Sequence, residues 1–194
     1  MADFDAAFNE TMSVEGTYSN DPVDPGGETY KGIARKKHST WKGWDIVDEL
    51  KGEPGFPKNL DGTKELQECV KDFYKIVFWD HLYGDAIPSD EIGIELFDTA
   101  VNMGIHWAST FLQRTLNVLN RNEKLYPDII VDGAIGPGTI EALNTLLETD
   151  SPDLVLLWLN VLQGARYIEI MEANPSLEKY ARGWAKRISL SKQY

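Results

Sequence analysis

From Thr63 to Ile188 the apolar residues return at three- and four-residue steps, and prolines stand where one such run gives way to the next. A chain punctuated in this way builds helices that pack on helices. Leu66, Cys69, Val70, Phe73 and Val77 mark one helix, with Thr63 placed to cap it. Pro88-Ser89-Asp90 restarts the chain, and Phe97, Val101, Gly104, Trp107, Ala108, Phe111 and Leu112 then share one face of a central core helix, with a kink expected at Gly104. Gly136-Pro137 reads as a cap and a first-turn proline for Ile140, Leu143 and Leu147. Ser151-Pro152 opens the next helix, whose expected buried face is Leu154, Trp158, Val161, Leu162, Ala165 and Ile168. After Asn174-Pro175 a last helix carries Leu177, Tyr180, Ala181, Trp184 and Ile188. Upstream, helices are expected from Asp3 to Val14, from Ile33 to Lys37 and from Trp44 to Leu50, the last before a Gly- and Pro-broken loop. The fold class is mainly α.

One stretch departs from this pattern. Phe4, Phe8, Thr11 and Glu15 recur at helical steps, so Glu15 falls on a mostly apolar face near a helix end. A carboxyl group there is partly desolvated, which raises its pKa and suits it to donate a proton near neutral pH. Pro22, Pro25, Gly26 and Gly27 then exclude helix and ordinary strand, and Asn20 and Asp21 favour turns, so a stiff loop carries Asp21 and Asp24 past the helix end. Either aspartate can equally serve as a turn former that caps loop amides. The loop lacks the alternating oxygen ligands and terminal glutamate of a calcium-binding hand, and no metal is expected.

These residues resemble the opening signature of the N-acetylmuramidases of glycoside hydrolase family 108: Glu15-Gly16-Thr17-Tyr18, Asn20-Asp21-Pro22, Asp24-Pro25-Gly26-Gly27, Thr29 and Gly32-Ile33. The likeness continues through Phe97-Asp98-Thr99-Ala100-Val101-Asn102-Met103-Gly104, Leu112-Gln113, Asp132-Gly133-Ala134-Ile135-Gly136-Pro137-Gly138-Thr139 and Gly183-Trp184-Ala185-Lys186-Arg187. Thr17 stands in place of the usual second glycine, and Tyr30-Lys31 where the family more often has a polar or basic residue followed by Tyr. Phage-type lysozymes share the order of Glu15, Asp24, Thr29 and Gly32-Ile33.

The resemblance implies a lysozyme-like helical fold with a long active-site loop after the first helix. It implies a muramidase region over residues 1–94 and a peptidoglycan-binding helical region over residues 95–194 packed against it, with substrate in the groove between. The bond cut would join N-acetylmuramic acid to N-acetylglucosamine. Glu15 would protonate the leaving oxygen, Asp24 would act on the far face of the sugar and Thr29 would support it. Tyr18 and Tyr30, aromatic residues of the loop, and Asn102, an amide on a core-like helix, are the candidate substrate contacts. No cofactor is required. The alternative is a non-catalytic peptidoglycan-binding or secretion-accessory protein that uses the same cleft.

Charge narrows the partners further. With 19 Lys and Arg against 31 Asp and Glu, a net charge of -12 argues against nucleic acid. The same charge denies the whole molecule any attraction to an anionic wall, so glycan binding falls to the cleft or to the clusters Arg35-Lys36-Lys37-His38 and Arg182, Lys186, Arg187, whose plain reading is solvated helix faces. The first twenty residues show no basic cluster followed by an apolar run. The strongly apolar run from Leu154 to Leu159 falls short of the ~20 residues of a spanning helix. A monomer is therefore expected, without membrane insertion, made in the cytoplasm and meeting peptidoglycan after export or lysis. Cys69, on a helical apolar pattern, reads as a buried free thiol.

Overall fold

The computed structural model describes residues 1–12, 18–20 and 27–188. Of these, 66% are helical and 5% lie in strands, as the mainly α expectation requires. The first helix is α1, Phe4–Met12. The chain divides into two compact units, one of residues 8–77 and one of residues 1–7 with 78–194.

In the unit of residues 8–77, a three-stranded antiparallel sheet runs in the order β1 (Tyr18–Asn20), β2 (Glu28–Tyr30), β3 (Ile33–Ala34). The expected loop through Tyr18–Asn20 and the expected helix over Ile33–Lys37 both give way to this sheet. The cause is local. Lys31 and Gly32 take φ of 43° and 78°, the paired positive values of a type I′ hairpin turn, which sets Tyr30 opposite Ile33. Tyr18, Thr29, Tyr30 and Ile33 are also residue types that suit a half-buried pleated surface. The Tyr74 hydroxyl donates to the Lys31 carbonyl at 2.8 Å and pins the turn.

Two helices complete this unit, α2 (Gly43–Leu50) and α3 (Lys64–Tyr74), which pack on each other around Ile33, Val47, Leu60, Leu66 and Val70. Thr63 sits at the expected cap position, but its hydroxyl donates to the Asn59 carbonyl at 2.9 Å and caps nothing. Cys69 is half-buried rather than fully buried. It lines a groove with Trp41 and Phe73, and burial pushes its thiol up, helped by the nearby Glu65 and Asp72 carboxylates.

The other unit grows around Trp79, fully buried against the rings of Phe4 and Phe97 at 5.6 and 5.9 Å, with its indole N–H on Asp85 at 2.7 Å. α4 (Asp90–Met103) starts at Ser89, whose hydroxyl accepts from the Ile92 amide. Gly104, at φ 96° and ψ 152°, ends it outright, and α5 (Ile105–Leu119) folds back against α4. The expected kink is thus a break, since that extended glycine conformation has no place inside a helix. α6 (Pro137–Leu147) packs on α5, and α7 (Pro152–Ala173) lies across α4 and α5.

The buried face of α7 is Val155, Leu159, Asn160, Gln163 and Tyr167. The expected face is largely turned outward, with Trp158, Val161 and Ile168 at 39%, 39% and 54% exposure. A helix apolar nearly all round gives periodicity little to choose by. The partner helices decide, because Gln163 finds the Thr99 hydroxyl at 2.9 Å. α7 is also, among the described residues, the one helix long and apolar enough to cross a bilayer, which the run Leu154–Leu159 alone did not reveal. The expected last helix is instead a 3-10 segment (Pro175–Tyr180), the short α8 (Ala181–Trp184) and a 3-10 turn (Ala185–Arg187), held to α7 by Trp184 stacked on Tyr167 at 4.8 Å.

Between α5 and α6 the chain has no regular structure, and its backbone is met by amide side chains of α5. Asn117 gives to and takes from Ile129 at 2.8 and 2.9 Å. Gln113 does the same with the Ala134 carbonyl and the Gly133 amide at 3.0 and 2.9 Å, while Asn120 donates to Asp128.

Candidate active site

Glu15 and Asp24 lie outside the described residues. The strands that follow the first and flank the second in sequence are well defined. Tyr18 pairs with Tyr30, Ser19 with Thr29 and Asn20 with Glu28, so Tyr18, Glu28 and Tyr30 share one face of the sheet and Thr29 takes the other. The Thr29 hydroxyl donates only a long bond, 3.4 Å, to the Gly27 carbonyl.

Of the candidate sugar contacts, Tyr30 is fully buried. Its hydroxyl accepts from Gln67 at 2.8 Å and donates to Asp61 at 3.2 Å, and burial pushes its pKa up to about 12. A ring in that position is core and offers no face to a sugar. Tyr18 remains half-exposed, edge-on to Phe56 at 4.8 Å. Its hydroxyl donates to Glu28 at 2.8 Å, and burial, aided by that bond, raises its pKa.

Glu28, which with Asn20, Asp21 and Asp24 gives the sequence its hint of a calcium cluster, has a different role in the structure. Its side chain is 10% exposed and holds Lys51 Nζ at 2.8 Å on one oxygen and Arg35 Nε at 3.0 Å on the other, the latter as an ion pair without the alignment of a hydrogen bond. Arg35 in turn grips Asp48 with two bonds of 3.0 and 2.8 Å and lies over the Trp44 ring at 4.5 Å. Those bonds, with one from Lys51, lower the Asp48 pKa. Both Glu28 oxygens are engaged, so this carboxylate anchors the start of β2. Its signal in the sequence was the cationic pair Arg35 and Lys51, which only folding brings to it.

Asn102 belongs to the other unit, on α4. With its amide oxygen turned to Arg187 it accepts from Nε at 2.6 Å, and Arg187 also bonds to Asp98. From each basic cluster one arginine, Arg35 or Arg187, is therefore committed to internal ion pairs. Among the described residues, no group of three or more His, Cys, Asp or Glu side chains is placed to hold a metal ion.

The fold is similar to that of a solved structure, described as the structure of Brucella abortus SagA. That structure superposes with a TM-score of 0.60 over 95% of this chain and 88% of that one, at 23% identity, a likeness that carries the fold alone. Among curated proteins none matches the chain. A sequence profile described as "Predicted Peptidoglycan domain" matches residues 107–189, which defines the class as a helical protein with peptidoglycan as its partner. The profile of glycosyl hydrolase 108 matches residues 8–104, half of the chain. The chain belongs to the glycosyl hydrolase 108 family, and membership implies a peptidoglycan hydrolase of the muramidase type.

Proposed function

We propose that the chain cuts the bond between N-acetylmuramic acid and N-acetylglucosamine, with Glu15 as the acid that protonates the leaving oxygen. Asp24, helped by Thr29, supplies the negative group or activated water that an oxocarbenium-like transition state needs on its far face. Residues 1–94 carry the cleavage and residues 95–194 supply wall affinity. The observation that supports this reading is the family match over residues 8–104, which spans the whole signature from Glu15 to Ile33.

Turbidity of purified sacculi tests it. Glu15→Gln is nearly isosteric and cannot give up a proton, so lysis should fall by roughly 10²- to 10⁴-fold while sacculus binding persists. Wild-type lysis by that variant would overturn the assignment of Glu15, and failure of the wild-type chain to clear sacculi would overturn the reading as a whole.

A further inference from the structure

A groove of about 510 Å³ lies along α6, lined by Tyr83 together with Glu141, Asn144, Thr145 and Glu148. Tyr83 stands between two 3-10 turns, Asp80–Leu82 and Gly84–Ala86, in the left-handed region at φ 53° and ψ 38°. A non-glycine residue there is strained, and the glycine that would relieve it is the next residue. Gly84 cannot exchange roles, because a Cβ on it would sit 2.2 Å from the Trp79 ring. The strain therefore falls on Tyr83 and holds its ring at the groove, 44% exposed. Residues kept in such conformations gather at ligand clamps.

The residues that α6 contributes have the chemistry of a saccharide site. The Asn144 amide has no protein partner among the described residues, and Glu141 and Glu148 present acceptors for sugar hydroxyls along one side of the helix. On the other flank of α6 a second hollow of about 460 Å³ shares Glu141 and Thr145, so the polar ridge is open on both sides. Eleven helical residues span about 16 Å, room for an extended chain rather than a single ring. No Lys or Arg lines the groove. Two carboxylates without a cation repel the stem-peptide carboxylates of peptidoglycan and accept a neutral sugar.

We propose that this groove is a glycan subsite for N-acetylglucosamine units, with Tyr83 stacking on the pyranose face and Asn144 hydrogen-bonding the sugar's polar edge. The proposal rests on the peptidoglycan reading but not on the identity of the acid. Binding to purified sacculi and to a soluble N-acetylglucosamine tetramer is measured for the wild-type chain, for Tyr83→Asn, which tolerates the left-handed backbone but lacks the ring, and for Tyr83→Phe, which keeps the ring. Tyr83→Asn is expected to weaken both by about fivefold to tenfold, Tyr83→Phe to leave both unchanged, and the tetramer to compete with sacculi. Turnover of a soluble tetrasaccharide is followed in parallel. Equal binding by Tyr83→Asn and wild type, absence of any binding by wild type, or competition by free stem peptide in place of the tetramer each overturns the subsite. A ring-dependent loss of binding in a chain that turns nothing over would uphold the subsite and sink the hydrolase reading.

Discussion

Replacing Glu28 by Gln keeps the shape of the side chain and removes the charge on which Lys51 and Arg35 converge. An ion pair whose cation is partly exposed is worth up to about 1 kcal/mol, so each cation loses on the order of 1 kcal/mol when the charge on Glu28 is removed. Solvent does little for a side chain that is 10% exposed. It does more for Arg35 and Lys51, at 30% and 34%, which rehydrate in part. The expected loss is therefore about 2 kcal/mol in the unit of residues 8–77, or a fall in melting temperature of roughly 4–8 °C for a chain of this size. Thermal unfolding by circular dichroism reads it, and 1 M salt should narrow the gap between variant and wild type, since the partly exposed cations are screened. Wall lysis should fall as well, because β2 begins four residues after Asp24 in the sequence. Tyr18→Phe removes one bond and leaves both cations, so about 1 kcal/mol is expected there, and the two substitutions together should lose less than their sum. A Glu28→Gln protein with unchanged melting and unchanged lysis would refute the account of this carboxylate as an anchor.

Asp24→Asn should lose less activity than Glu15→Gln, since an amide still positions a water, and the first product seen by NMR should carry an inverted anomeric centre; a retained anomer would exclude a water held between carboxyls roughly 6.5–9.5 Å apart. Tyr30 and Tyr167, raised by burial to about 12 from 10.0, keep their protons in the fold after the unfolded chain has begun to lose them. Stability present below pH 10 is therefore lost between about pH 10 and 12. Tyr30→Phe should flatten that decline in denaturant titrations, and an unaltered slope would show that the ring ionises as it does in water. Gly84→Ala drives a methyl group to 2.2 Å from a fully buried indole, and overpacking of this kind costs about 1–3 kcal/mol; a calorimetric melting point equal to wild type would mean that Trp79 moves freely.

Most helices were legible because proline and capping residues mark their starts, as at Ser89, Pro137 and Pro152. Which face each buries was less so. α7 has apolar residues on both sides, and the choice was made by Thr99 on another helix, a partner that no local window contains. The hairpin at Lys31-Gly32 was hidden because lysine is an unusual first residue for a turn needing two positive φ values, and Ile33 with Ala34 looked equally able to begin a helix. The same turn decides the fate of the candidate tyrosines. In the folded hairpin Tyr30 is fully buried, with its hydroxyl reaching out to Gln67 and Asp61, an outcome that placement on a loop could not foretell. The anchoring role of Glu28 was invisible for a related reason, since its partners lie 7 and 23 residues away in the sequence.

The amide row on α5 bears on how this molecule can change over generations. Gln113 and Asn117 address chiefly the backbone of the segment from Ile129 to Ala134, and of its side chains Gln113 meets Asp132, at 2.7 Å. Its path is thus fixed by residues outside it, and the outward-facing Ile130 and Val131 are free of the task of maintaining shape. Such a segment can drift at its outward positions with little penalty so long as the two amides endure, together with Asp132, which accepts from Gln113 and from the Ala134 amide, and Gly133, where a Cβ would meet His106 at 2.0 Å. The burden of inheritance sits on the helix, where Gln113→Glu or Asn117→Asp, each a change of one atom for another, would silence a donor and release the segment they hold.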